Sequence, residues 1–400
     1  VTPSRDIIGR RYDTGEIARF TIAAERISAV AAIPASAANT AAPWIAPALV
    51  DIQINGYGGQ EFSSPDLTPE AVARVVRQQY SAGVGRLCPT LTTNSHAVLR
   101  HGMETIRLAC ERWPDVNRAV AAIHLEGPYF STEDGPRGAH PAEHCREPDW
   151  DELVVLQLAA GGRLRILTMS PEFDSAPAFI ARATQAGVII AIGHTGASGA
   201  QIRAAVDAGA RLSTHLGNGA HRMLRRHPNY IWDQLAEDRL WASLIVDGHH
   251  LPAEVVQTIV RAKSPARCLL VSDLSGLAGL PVGRYASSGC DLEILSDGRL
   301  VIAGQDQLLA GASQPLHLGI ANVMRFAGVD LKTAVTMATQ TPDRLLGHPA
   351  VGLTAGDPAD LILFELPADL NAGPASGAPY LKDGLRILET ILSGKTVSAD

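Results

Sequence analysis

The stretch Ala191–His221, AIGHTGASGAQIRAAVDAGARLSTHLGNGAH, repeats one local arrangement twice. An apolar run, Val188 to Ile192, ends in Gly193-His194, and Leu212 leads through Ser213 and Thr214 into His215-Leu216. Between them Ser198 offers the hydroxyl of a helix N-cap, Ile202, Ala205 and Val206 fall on one helical face, and Gly209 supplies a stop. Strand, helix, strand at this spacing predicts a βαβ unit, which lays its two strands parallel. Both histidines then project from the same end of one sheet, close enough to share an ion. Taken singly, each reads as an ordinary loop histidine. The recurrence is what points to a metal.

Outward from this unit, eight apolar, β-rich runs can be counted: Leu49 to Ile54, Arg86 to Leu91, Val120 to Leu125, Leu164 to Met169, Val188 to Ile192, Arg211 to Leu216, Trp241 to Val246 and Cys268 to Ser272. Helical patterns separate most of them, at 69–83, 151–162, 176–187 and 252–263 among others. Eight parallel strands alternating with helices predict a (β/α)8 TIM-type barrel, whose reactive end is the C-terminal end of the strands. An open doubly wound sheet ranks second. It needs a glycine-rich turn feeding a helix after the first strand, and although Gly56, Gly58 and Gly59 lie there, no helical pattern follows directly.

The two ends of the chain differ in texture from the middle. ARFTIAAERISAVAAIP at 18–34, and VGLTAGDPADLILFEL with LRILETILSGKTVSAD from 351 onward, read as short strands broken by Gly, Asp and charged turns. Neither end can hold a sizeable core alone. The expected organisation is therefore a small β-sandwich domain built jointly from 1–46 and 350–400, around a barrel at 47–349.

With 400 residues and 46% hydrophobic content the chain supports an extensive core, and a formal charge of −7 gives no general attraction to nucleic acid or to an anionic membrane. No apolar run approaches transmembrane length and VTPSRDIIG is not a signal peptide, so a cytoplasmic protein is expected. Cys88, Cys110, Cys145, Cys268 and Cys290 are scattered, with no close pair, and read as buried thiols.

Polar residues just past the predicted strands are the candidates for chemistry: Asp51, Gln53, Asn55, Thr90, His124, Glu126, Glu172, His194, His215, Asp247, His250 and Asp273. Glu126, His194 and His215 supply one carboxylate and two imidazoles, the donor set of a catalytic zinc that keeps a position for water. Such an ion lowers the pKa of bound water to about 7 and polarises a carbonyl. Asp273 closes the eighth run, where a carboxylate can take the proton of that water and pass it on. Without the metal set it would read as an Asx-turn aspartate.

The blocks PALVDIQINGYGG (47–59), GVGRLCPTLTTNS (83–95), HLEGPYF (124–130), GAHP (138–141), GHTGAS (193–198), STHLGNGAH (213–221), IVDGHHLP (245–252) and LVSDLSGLAG (270–279) resemble, in the same order, those of the amidohydrolase superfamily. Within it they are most similar to the N-acetylglucosamine-6-phosphate deacetylases, and the likeness covers nearly the whole chain. Many superfamily members carry His-x-His after the first strand and hold two metals; here those positions are Gln53 and Asn55, as in deacetylases with one metal.

The resemblance implies a metal-dependent deacetylase that hydrolyses the acetamide of N-acetylglucosamine 6-phosphate. It implies that Glu126, His194 and His215 bind one divalent metal ion per subunit. Zinc is the expected ion, and Fe2+, Co2+ or Mn2+ also suit these donors. Asp273 would be the general base and then acid, and His140 would orient or polarise the acetamide carbonyl. Asn218, Gly219 and Ala220 fall where the family holds the sugar, His250 matches its Asp-Gly-x-His histidine, and Arg226 falls where a homodimer offers a phosphate-binding arginine from the neighbouring subunit. From the residues alone, Arg226 reads equally well as a solvated arginine in the basic run RMLRRH. His124 is a candidate for support behind the ligands, and His249 and His221 read as supporting or exposed residues.

Other readings are deacylation of N-acetylgalactosamine 6-phosphate, an unphosphorylated amino sugar or an N-acyl amino acid, and a non-catalytic metal- or sugar-binding relative. The chain departs from the family at Leu-Gly-Asn-Gly-Ala-His (216–221), after Asp273, and in GQDQLLAGASQP (304–315), all on the sugar and phosphate side.

Overall fold

A computed structural model describes residues 4–34, 41–286, 291–371 and 383–397. Its centre is an eight-stranded sheet of Leu49–Ile54, Val84–Thr92, Ile123–Glu126, Leu164–Met169, Ile189–Ile192, Leu212–Ser213, Trp241–Leu244 and Cys268–Leu270, neighbouring one another in chain order. Every pairing is parallel. The sheet closes just past the last strand, where Ile54 and Leu274 form a parallel bridge, Asp273 N–H donates to the Gln53 carbonyl at 2.9 Å and Asn55 N–H to the Leu274 carbonyl at 2.8 Å. The barrel is thus the predicted one, strand for strand.

Its interior is filled by Val50, Ile52, Cys88, Ala122, Ile166, Ile189, Ala191, Leu212, Ile245, Leu269 and Val271, mostly branched side chains of the kind that pack such layers. A larger apolar cluster lies between the sheet and its helices. The helix Gly199–Asp207 forms as its sequence predicts: the Ser198 hydroxyl accepts from Gln201 N–H, the Gln201 side chain reaches back to close a capping box, and Ile202, Ala205 and Val206 are buried. Helices Pro69–Gln78, Trp150–Ala159, Ala176–Gln185 and Ala253–Lys263 match the other patterns. The longest helix among the described residues, His96–Arg112, follows a Ser95 cap and buries Leu99, Met103, Ile106 and Cys110.

Strands from both ends of the chain share one seven-stranded sheet, in the order Lys395–Val397, Arg386–Leu392, Leu361–Glu365, Trp44–Pro47, Ser4–Arg11, Ile17–Ala23 and Arg26–Ala32. The junction is antiparallel, with Ile45 opposite Leu363 and Trp44 opposite Phe364. Trp44–Pro47 runs parallel to Ser4–Arg11, so this sheet is not wholly antiparallel.

The turn after the first strand agrees with ranking the open doubly wound sheet second, while the segment after the last strand adds an unexpected sheet. Gly58 and Gly59, both at positive φ, turn a two-residue ribbon (Gly56–Tyr57 against Gln60–Glu61) rather than opening a phosphate loop. After the barrel closes, Gly283–Ala286, Asp291–Ile294, Leu300–Ile302 and Gln305–Leu309 form a four-stranded antiparallel sheet with its own small core of Leu292, Ile294 and Leu300. The stretch 304–315, named above as a departure from the family, thus carries a strand. Of the five cysteines, Cys88, Cys110, Cys145 and Cys268 are free thiols, Cys145 only half-buried, and Cys290 lies outside the described residues. No helix among the described residues is long and apolar enough to cross a membrane.

Candidate metal centre

Three of the candidate residues sit immediately past a barrel strand in a left-handed backbone conformation: His194 at φ 50°, His215 at φ 30° and Asp273 at φ 52°. Non-glycine residues adopt this region seldom and at a cost of about 1–3 kcal/mol, and such strain concentrates at functional sites. Glu126 needs no such turn, because it is the last residue of its strand.

The result is a tight convergence of donor atoms. His215 Nε2 lies 2.9 Å from Glu126 Oε1, His194 Nε2 lies 3.4 Å from the same oxygen, and the two imidazole nitrogens are 3.1 Å apart. His140, delivered by the loop after the third strand, brings its Nε2 to 3.2 Å from His194 Nε2. Glu126, His140 and His194 satisfy the spacing of a metal-ligating triplet, with donor atoms within 4.8 Å of one another, and all are buried. His140, assigned above to the substrate carbonyl, therefore also stands at ligand distance from the cluster.

The chemistry of this donor set fits a divalent cation. His194 Nδ1 lies 2.9 Å from the Pro136 carbonyl, which has no proton to give, so Nδ1 carries a proton and Nε2 is the nitrogen turned toward two other imidazoles and a carboxylate, the one placed to offer a lone pair to a cation. A carbonyl acceptor behind the distal nitrogen is the usual way of fixing a metal-binding tautomer. Facing lone pairs at 3.1–3.2 Å repel unless a proton or a cation lies between them.

Electrostatics follows from burial and crowding. Burial opposes ionisation of Glu126, but in the absence of an ion the hydrogen bonds and charges that His194 and His215 supply with a proton on Nε2 outweigh it and hold the carboxyl well below the usual range. Burial alone would lower His215; Glu126 overrides it and raises the imidazole. For His140, burial and the neighbouring His194 outweigh the attraction of Glu126 and push it down to about 3, which leaves it neutral near pH 7. Asp273 is pushed up to about 7, first by burial and then by repulsion from Glu126. A carboxyl near 7 is poised to exchange a proton at ordinary pH.

Gln53 and Asn55 act on the two carboxylates. Gln53 Nε2 donates to Glu126 Oε1 at 2.9 Å, and Asn55 Nδ2 donates to Asp273 Oδ1 at 2.8 Å. Below this layer His124 is neutral, lowered to about 4 by burial, with Nδ1 donating to the Ile52 carbonyl at 3.1 Å and Nε2 accepting from Thr168, which in turn meets Thr214. It braces the barrel interior beneath the donors and is not one of them.

The remaining candidates lie around the mouth. Asn218 directs both its backbone N–H and its Nδ2 at the His215 carbonyl, and Ala220 is half-buried beside it. Gly219, at φ +58°, lies against the His194 ring: a Cβ there would stand 2.7 Å from His194 Nδ1. Gly138 covers the same ring, with 3.2 Å from such a Cβ to His194 Cε1. No sequence signal marks this contact, since Gly138 and Gly219 are far apart in the chain. His250 Nδ1 is held at 2.7 Å by Asp247 Oδ2, while Asp247 Oδ1 accepts from His249 and His250 N–H. Glu172 accepts from Gly196 N–H at 2.7 Å and lies beside the cluster rather than in it. Arg226 is exposed, in a segment with Met223 at 91% and Leu224 at 39% exposure.

Comparison with known proteins agrees with this geometry. Residues 44–397 match the amidohydrolase family. N-acetylgalactosamine-6-phosphate deacetylase of Escherichia coli O157:H7 is 31% identical over 342 residues, which is 85% of this chain and 88% of that protein. Human N-acetylglucosamine-6-phosphate deacetylase is 30% identical over 365 residues, 88% of this chain and 83% of that one. The crystal structure of N-acetyl-D-glucosamine-6-phosphate deacetylase from Mycobacterium smegmatis superposes with a TM-score of 0.83 at 30% identity, covering 98% of this chain and 99% of that one.

Proposed function

The chain belongs to the amidohydrolase family, and from that premise we propose that it hydrolyses the acetamide of an N-acetylated amino sugar 6-phosphate to acetate and the free amine. N-acetylglucosamine 6-phosphate is the first substrate in this reading. N-acetylgalactosamine 6-phosphate is the second, favoured by the 31% identity to the Escherichia coli enzyme of that name. The observation that carries the proposal is the placing of Asp273, raised to about 7, beside the convergent Glu126, His194 and His215.

Glu126, His194 and His215 hold the metal in this reading, one ion per chain and zinc by preference. When bound, the ion supplies polarisation of the acetamide carbonyl and acidification of a water molecule. Gln53 and Asn55 support a single ion, because each aims N–H donors at a carboxylate where a second cation would need acceptors. Asp273 has Oδ1 committed to Asn55, so Oδ2 takes the proton of the attacking water. As the carbon–nitrogen bond breaks, the same oxygen returns that proton to the departing amine. His140, neutral and buried, offers its ring N–H to the carbonyl oxygen as charge develops there. Asn218, Gly219 and Ala220 line the sugar side, and His250, fixed by Asp247, faces the 6-phosphate end.

The phosphate contact is completed by Arg226 of a second subunit in a homodimer. Exposure of Met223, Leu224 and of Trp232, at 52%, beside that arginine supports burial of this segment against another copy. The same reading treats 47–349 as the catalytic domain and 1–46 with 350–400 as the accessory one, supported by the shared terminal sheet. It assigns the enzyme to the cytoplasm, supported by the free thiols.

Acetate release by metal-loaded protein from N-acetylglucosamine 6-phosphate, N-acetylgalactosamine 6-phosphate and unphosphorylated N-acetylglucosamine, compared side by side, tests the proposal. Preference for either phosphorylated sugar supports it, and turnover of none by protein that holds metal refutes it.

A further inference from the structure

His221 stands where four loops of the barrel mouth meet. Its backbone N–H donates to the Tyr230 hydroxyl at 2.8 Å, so that hydroxyl directs its own proton to His221 Nδ1 at 3.0 Å. The ring proton is then on Nε2, which donates to Glu133 Oε1 at 3.0 Å. Tyr230 begins the helix Tyr230–Ala236 beyond the same loop, whereas Glu133 belongs to the loop after the third strand. A Cβ on Gly135 would lie 3.0 Å from His221 Cα. One on Gly196, after the fifth strand, would lie 2.9 Å from His221 Cε1 and 3.0 Å from the carboxylate of Glu172, after the fourth.

The two segments that His221 joins are the ones that enclose His194. The Glu133 side carries the Pro136 carbonyl, which accepts from His194 Nδ1, and Gly138, which covers the ring. The His221 side carries Gly219, which covers the ring from the other loop. Among the described residues, no other hydrogen bond joins residues 133–138 to residues 217–221.

We propose that His221, fastened by Tyr230 and Glu133, is a positioning residue for His194: it holds the loops after the third and sixth strands together so that the His194 ring keeps Nε2 toward Glu126. The inference rests on the reading of His194 as a metal ligand. Glu133 is more than half exposed and its bond alone is worth little, so the tie between the two loops rests also on the packing of Gly135 against the His221 backbone, while Tyr230, in the same segment as His221, fixes the ring that reaches across.

The test is Co2+ binding by the full-length protein, measured by competition with a chromophoric chelator, together with the visible spectrum of the cobalt form. Outer partners of metal ligands typically set affinity by about 10–100-fold, so His221→Ala should bind cobalt that much more weakly and with an altered spectrum. Tyr230→Phe, which keeps the ring, should move both readouts in the same direction. His221→Gln should restore most of the affinity, because an amide can accept from Tyr230 and donate to Glu133. Unchanged affinity and spectrum in Tyr230→Phe and in His221→Ala overturn the proposal, and Tyr230→Phe decides alone if His221→Ala does not fold. A parent protein that binds no cobalt, or a His194→Ala variant that binds it unchanged, overturns the ligand reading and this inference with it.

Discussion

Asn55 Nδ2 reaches Asp273 Oδ1 at 2.8 Å across the seam where the first barrel strand meets the last. The donor stabilises the ionised carboxylate, one of the effects that keep Asp273 from rising above about 7. A base is active when deprotonated, so activity climbs with pH through its pKa. Replacing Asn55 with Ala removes a hydrogen bond to a charge, worth about 1.5–3 kcal/mol, or roughly one to two pH units. The acid limb of the kcat profile should move upward by about that amount, with Asp273→Asn losing about 10²- to 10⁴-fold on the plateau above that limb. An Asn55→Ala profile superposable on the parent's would remove Asn55 from the mechanism.

His140 and His194 lie 3.2 Å apart at Nε2, yet separate roles are assigned to them. His194→Ala and His215→Ala should reduce bound metal, measured by elemental analysis, together with activity. His140→Ala should retain about one metal per chain and lose mainly kcat, by about 10²-fold, as expected for a lost donor to developing charge. Loss of metal from His140→Ala would make it the third nitrogen ligand instead.

Gly219→Ala puts a methyl group 2.7 Å from His194 Nδ1 at a backbone φ of +58°. The left-handed conformation alone costs alanine about 1–2 kcal/mol, and His194 must also move. Thermal unfolding should show the first effect in metal-free protein, and weakened metal binding the second. A variant that melts lower but binds metal normally would mean that the ring has room to adjust.

Arg226→Ala should raise KM for the phosphorylated sugar about tenfold or more, the scale of a charge-assisted hydrogen bond, and leave the unphosphorylated sugar unaffected. If the arginine is supplied by a second subunit, inactive Asp273→Asn chains mixed with Arg226→Ala chains should regain activity through hybrid dimers. Absence of complementation, with a monomer in sedimentation, would return Arg226 to the solvated reading.

Lys263 is buried at the end of its helix and donates to the Glu237 carbonyl at 2.7 Å, just past the helix Tyr230–Ala236. Burial lowers its pKa to about 8. An unfolded lysine titrates near 10.4, so between these values the unfolded chain binds more protons, and stability rises with pH across that window. Below pH 8 the full cost of holding the charge is present. Urea midpoints of parent and Lys263→Met should therefore diverge in the parent's favour from pH 8 to 10; a constant difference would show an ordinary lysine.

Short-range pattern made the barrel legible. The eight runs carry branched apolar residues because each strand is buried on both faces, and caps such as Ser198 mark where helices begin. The donors were legible for a related reason, since a polar residue just past a buried run has few places to go except the mouth. Asp273 and His215 are read in this way. What stayed hidden depends on distant backbone. Gly219 against His194, Pro136 behind the same ring, and Glu133 with His221 pair segments from different loops, and no local periodicity encodes such meetings. The four-stranded sheet after the barrel was missed because its strands are only three to five residues long, too short for alternation to register.

The closing seam also has a meaning in time. Glu126, His194 and His215 come from the third, fifth and sixth strands, while Asp273 follows the eighth and is anchored by Asn55 and Gln53 of the first. On a growing chain Glu126, His194 and His215, the proposed donors, are therefore synthesised before Asp273, the proposed proton carrier. The proton carrier takes its place only when the two ends of the sheet are zipped together. A barrel left open at this seam would leave Asp273 without the Gln53 carbonyl and the Asn55 amide that fix it.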